Sequence, residues 1–137
     1  MRRGIGMLDL NIGIKGEASI TVSEDNTAEA YGSGSIQVFA TPAMIALMEN
    51  AAMNSVETYL YPERTTVGTR VETTHIAATP LGMKVTAKAE LTAVEGKRLL
   101  FKIEAFDQKE LIGEGTHERF IVEKEKFLHR VAAKKND

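Results

Sequence analysis

Between Thr41 and Val56 the chain carries a single charged residue, Glu49. The stretch from Thr41 to Leu60, TPAMIALMENAAMNSVETYL, reads as a helix. Thr41 suits the N-cap, where a hydroxyl accepts an orphan backbone N–H. Pro42 then falls at the first helical position, where its missing N–H costs nothing. Ala, Met and Leu fill most of the remainder, all strong helix formers. Met44, Ile45, Leu47, Met48, Ala51, Ala52, Met53 and Val56 occupy almost every side, and a helix apolar all round is expected inside a protein. One turn away from Glu49 stand Ile45, Ala46, Ala52 and Met53, so no ion pair within the helix can satisfy it. An unpaired buried carboxylate needs a partner or a raised pKa. The alternative is a Glu on a less buried stripe, beside Asn50 and Asn54.

The 137 residues suit one domain spanning 1–137. Being 43% hydrophobic and 26% charged, the chain can build one core and is not of disordered type. A net charge of −2 gives no electrostatic footprint for nucleic acid. With no cysteine, disulfides, thiol nucleophiles and cysteine metal sites are excluded. The start, MRRGIGMLDLNIGIK, is broken by Asp9, Asn11 and glycines, which is not the pattern of a signal peptide. No apolar run approaches the ~20 residues of a membrane span. The expected compartment is the cytoplasm, with no membrane partner.

Residues 17–22 are a candidate first strand, and the polar run 23–35 a loop. After the helix, Tyr61-Pro62-Glu63-Arg64 is a breaker. Residues 66–78 are rich in Val and Thr, and simple alternation sets Val67, Val71 and His75 on one face. Residues 83–93 alternate Met83, Val85, Ala87, Ala89 and Leu91 with Lys84, Thr86, Lys88 and Glu90. Glu95-Gly96-Lys97 is a hairpin turn. Leu99, Phe101, Ile103 and Ala105 then share a face, residues 107–110 turn, and 111–123 form the last long strand. Beyond it, a strand end and a frayed or helical terminus are expected. One buried helix with an antiparallel meander is an α+β layout, the helix lying on the apolar face of a single sheet. One sheet covers one side of a cylinder, so further cover is expected from a curled sheet, a second subunit, or both.

Thr41, Glu49, His75 and the run Gly115-Thr116-His117-Glu118-Arg119 could carry chemistry. A carboxylate in apolar surroundings suits a general base or a nucleophile. His75 could move protons; alternatively it is a core histidine bonded to Thr73. Gly68 either lets a ligand approach the backbone or marks a bulge. His117 and Arg119 read as a surface ion-pair strand. Eight residues, about 12 Å of helix axis, separate Thr41 from Glu49, so a substrate, a water or His75 would stand between them. The histidines at 75, 117 and 129 lack a metal-ligand spacing. There is no Walker or Rossmann glycine loop and no Gly-x-Ser-x-Gly.

The segments VFATPAMIALMENAA (38–52), VGTRVETTHIAATPLGMKVTAKAEL (67–91), VEGKRLLFKIEAFD (94–107) and IGEGTHERFIVEKEKF (112–127) resemble, in order, the hot-dog-fold acyl-CoA thioesterases, above all the fluoroacetyl-CoA thioesterase group. The resemblance implies a helix wrapped by an antiparallel sheet and a homodimer with active sites at the subunit interface. It implies a catalytic set falling on Thr41, Glu49 and His75, with site-associated residues at Gly68 and Arg119. The substrate would be an acyl-CoA, coenzyme A being part of it, with no further cofactor and no metal. One stretch departs: the fluoroacetyl-specific enzyme has phenylalanines before the helix, forming an apolar lid, whereas Tyr31-Gly32-Ser33-Gly34-Ser35 holds none. Two alternatives stand beside hydrolysis: an acyl-CoA hydratase or dehydratase of similar fold, and a non-catalytic dimeric ligand-binding protein.

Overall fold

The computed structural model describes residues 10–136; the start of the N-terminal stretch read above for a leader, up to residue 9, lies outside the described residues. The elements in chain order are β1 (Lys15–Thr21), a short α1 (Ala28–Tyr31), α2 (Thr41–Glu57), β2 (Arg64–His75), β3 (Lys84–Glu95), β4 (Arg98–Phe106), β5 (Leu111–Glu123) and α3 (Lys124–Ala132). The five strands form one antiparallel sheet in the order β1-β3-β4-β5-β2. The sheet curls around α2, giving the hot-dog fold.

Apolar alternation explains the wrap. Val85, Ala87, Ala89 and Leu91 of β3 and Leu99, Phe101, Ile103 and Ala105 of β4 all point inward and are buried. They meet Met44, Leu47, Met48, Ala51, Ala52 and Val56 of α2. The helix is not covered all round, however. Ala46, Asn50 and Asn54 remain exposed, and Glu49 is half-buried at the margin of this stripe.

Three local expectations are corrected. The loop over 23–35 contains α1, because the Thr27 hydroxyl accepts a hydrogen bond from the Ala30 amide at 3.1 Å and caps a turn. Thr41 is not a cap: Ala40 holds that position, and Thr41 begins the helix without a side-chain capping bond. Val67 does not share a face with Val71 and His75. The β2–β5 register shifts between Gly68 and Arg70, leaving Thr69 as an extra residue, and such a bulge exchanges the faces on either side of it. Thr66 and Gly68 therefore join Val71 and His75 on the inner face, while Val67 pairs with the exposed Phe120.

Strand β1 lies tight against the helix at one point. A Cβ on Gly16 would sit 2.4 Å from the Ala51 carbonyl oxygen and 2.6 Å from Ser55 Cβ. Backbone atoms cannot swing aside as a flexible side chain does. Gly16→Ala is expected to destabilise the fold by about 1–3 kcal/mol, the range for overpacking; the urea midpoint measures it, and an unchanged midpoint contradicts this packing.

Candidate functional site

Thr41 and His75 meet. The first turn of α2 and the last residue of β2 bring Thr41 Oγ1 and His75 Nδ1 to 2.7 Å, a shared hydrogen bond. Freed from capping, the hydroxyl is available to the ring. His75 is not bonded to Thr73, whose hydroxyl donates instead to the Glu114 carbonyl at 3.0 Å. His75 Nε2 is buried and has no hydrogen-bond partner among the described residues. Burial holds the His75 pKa below its ordinary 6.5, against a weaker opposing contribution from the Ala77 backbone. The pair lines a cleft of about 350 Å³ whose other walls include Ile36, Val38, Phe39, Ile76, Ala77 and Ala78. A neutral imidazole beside a hydroxyl, in an apolar cleft, can accept and deliver protons.

Glu49 belongs to a second cluster. With Ala46, Asn50, Met53, Gly68 and Arg119 it lines a shallow cleft of about 280 Å³. Gly68 is the floor: a Cβ there would lie 2.8 Å from Glu49 Oε2, 3.3 Å from His117 Cε1 and 3.4 Å from Arg119 Nη1. Lacking that carbon, the strand lets a carboxylate, a guanidinium and an imidazole converge on one point. The bulge at Thr69 turns Gly68 inward to meet them. Among the described residues no three His, Asp or Glu side chains form a group that could hold a metal ion.

His117 and Arg119 are not a surface pair. They are only 1% and 7% exposed. Arg119 donates from Nε to the Thr66 hydroxyl at 2.7 Å and from Nη2 to the Thr66 carbonyl at 2.9 Å. Burial lowers its pKa, and the charges of Glu49 and Glu57 oppose that shift. The neighbouring Glu118, on the opposite face, makes a surface ion pair with Arg98 at 2.8 Å. A signal was present in the sequence: 117 and 119 share parity with Ile121, a core residue.

The model of the fluoroacetyl-CoA-specific thioesterase family matches residues 22–125, a span holding all five candidate positions. The chain belongs to this thioesterase family. The fluoroacetyl-CoA thioesterase of Streptantibioticus cattleyicolor is 46% identical over 98 residues, covering 72% of this chain and 70% of that one. A solved structure of the fluoroacetyl-CoA thioesterase FlK superposes with a TM-score of 0.86 at 37% identity, covering 92% of this chain and 98% of that chain. A Thermus thermophilus hypothetical protein, described as a thioesterase superfamily member, gives 0.87 at 27% identity, covering 95% and 96% of the two chains. The chain is accordingly an acyl-CoA thioesterase. Among the described residues no helix is long and apolar enough to cross a membrane.

This thioesterase should show a pH dependence of stability set by its two inward histidines. Burial depresses the pKa of both His75 and His117 below 6.5. Below that value the unfolded chain takes up protons that the folded chain resists, so stability falls with falling pH. The loss should begin near pH 6.5, above the window of the carboxylates Asp107 and Glu118, whose depressed values start from 3.8 and 4.5. Urea midpoints at pH 7.5 and pH 5.5 measure it. A higher midpoint at pH 5.5 would contradict the depressed values.

Proposed function

We propose that this acyl-CoA thioesterase hydrolyses short and medium acyl thioesters at a site assembled from two copies of the chain. The observation that carries this reading is the 2.7 Å Thr41–His75 pair set in the wall of an apolar cleft. Catalysis would use Thr41, Glu49 and His75, with Gly68 and Arg119 contacting the substrate. Glu49 either takes a proton from the attacking water, or attacks the thioester carbonyl itself to form an anhydride that water then cleaves, releasing the acid and restoring the carboxylate. Backbone N–H groups at Gly68 or at the start of α2 face the developing oxyanion, where fixed dipoles are effective. His75, with the Thr41 hydroxyl beside it, delivers a proton to the sulfur as the C–S bond breaks. The products are a carboxylic acid and free coenzyme A.

Two observations support assembly from two copies. Thr41 and Glu49 are eight residues apart on one helix, about 12 Å of axis, too far for one carbonyl to meet both. Strand β2, which carries Gly68 and His75, is the last strand of the sheet. Antiparallel pairing of β2 with β2 about a two-fold axis near Val71 and Glu72 would set His75 of one copy beside Gly68 of the other. The Thr41–His75 pair of one copy would then face the Glu49–Gly68–Arg119 cluster of its mate. The exposed stripe of α2 at Ala46 and Asn50 would be covered in the same step.

The acyl group is read from the cleft. Its walls are aliphatic at Ile36, Val38 and Ile76, and Ile36 and Ile76 are 63% and 60% exposed. Tyr31 to Ser35 add no phenylalanine lid. The site is therefore open enough for several short and medium chains, with weak preference for fluoroacetyl over acetyl.

A panel of acyl-CoAs assayed for free-thiol release tests the function. Thiol should appear from several chain lengths, with a fluoroacetyl-to-acetyl kcat/KM ratio well below about 10⁴, beyond what weak apolar contacts supply. Hydration without thiol, or binding without turnover, would replace the reading with one of its alternatives. Glu49→Gln should keep the fold and lower turnover at least ~100-fold, as expected for a lost acid–base group.

Mixing subunits tests the shared site. His75→Ala and Glu49→Gln proteins, each inactive alone and each a dimer by light scattering, should recover about a quarter of wild-type activity after exchange, since half the dimers are mixed and hold one intact site. No recovery from exchanged dimers would put all three groups in one chain.

A further inference from the structure

His117 is buried and ionisable, and the reaction above makes no use of it. Its two ring nitrogens have different partners. Nδ1 lies 2.8 Å from the Arg70 backbone carbonyl, which only accepts. Nε2 lies 3.2 Å from Arg119 Nη1, which only donates. Both contacts are satisfied by one state of the ring: proton on Nδ1, lone pair on Nε2. Phe101 holds the ring from β4, with centroids 6.1 Å apart. Arg119 is thereby gripped by Thr66 through two donors and by His117 through a third. Its guanidinium is left beside Gly68, across which Glu49 stands.

We propose that His117 is a positioning residue for thioester hydrolysis: as a neutral imidazole accepting from Arg119, it aims the guanidinium at the Glu49 carboxylate across Gly68. This rests on the proposed role of Glu49. A lysine or a protonated histidine at 117 would set N–H against N–H and push Arg119 away, so a bare ring nitrogen is what the contact needs. The groups facing the ring favour that state on balance. Burial and the Arg119 charge oppose protonation, while the Arg70 carbonyl of β2, Glu49 of α2 and Glu118 of β5 favour it; the net direction is a lowered pKa.

Two measurements on the full chain test this. Nitrogen-15 spectra of the imidazole rings at pH 7 should show His117 protonated at Nδ1 and bare at Nε2; an Nε2–H or doubly protonated ring would overturn the proposal. In thiol release, His117→Phe should lower kcat about tenfold or more, the scale for a misplaced catalytic neighbour. His117→Gln can keep an acceptor toward Arg119 and should recover most of that loss. In an Arg119→Ala background His117→Phe should cost nothing further, because its effect passes through Arg119. Equal losses in the Gln and Phe variants, or losses that multiply with Arg119→Ala, would reduce His117 to a packing residue. If His117→Phe does not fold, the spectrum and His117→Gln decide: a tenfold loss in a folded Gln variant counts against the proposal. If the wild-type protein releases no thiol from any acyl-CoA, the proposed function fails, and the ring spectrum still decides the His117 contact separately.

Discussion

The structure depends on one constraint: a helix with apolar residues on most of its circumference must be hidden by a sheet that can cover only part of it. Met44, Met48, Ala51, Ala52 and Val56 are taken out of water by the inner faces of β3 and β4. Burial of this kind is the main favourable term in folding. The sheet curls to enlarge its share, but Ala46, Asn50 and Asn54 stay outside. Glu49 falls at the seam between the two regimes. It is partly withdrawn from solvent yet lines the open cleft at the margin.

That seam is also where the sheet departs from regular apolar filling. Regular strands would have lined it with apolar side chains. Instead β5 contributes a guanidinium and an imidazole, and β2 contributes a residue with no side chain. Burying a cation such as Arg119 is costly unless its donors are satisfied. Thr66 and His117 accept from all three of its nitrogens. The polar inner end of the site is thus built on strands rather than loops, which fixes its geometry to the sheet.

Much of this was legible in the residues. The helix began at Thr41 as expected, β5 ran from 111 to 123, and alternation in β3 and β4 named the inner faces correctly. Glu49 stood out because a lone charge in an apolar helix is conspicuous. Three features were not legible, each because a tertiary partner outweighed a local preference. Thr41 has the chemistry of a cap, yet its hydroxyl bonds a histidine 34 residues away. Arg119 reads as surface charge although it shares parity with the core residue Ile121, because its acceptor Thr66 lies on β2 and is recognisable only once β2 is laid beside β5. Simple alternation across 66–78 misassigned Val67 because nothing in the local pattern announces an extra residue at Thr69.

That extra residue sets the phase of β2 between its two ends. Upstream of Thr69 the strand is in phase with the Glu49 cluster; downstream it is in phase with Thr41. Substitutions along it can be absorbed by neighbouring side chains, but removal of a paired residue cannot. Losing a paired residue between Arg70 and Thr74 would turn His75 to the outer face while Gly68 stayed inward, whereas losing the unpaired Thr69 would leave both facing in. The strand therefore works as a counted spacer: its fidelity lies in the number of its paired residues as much as in their identity.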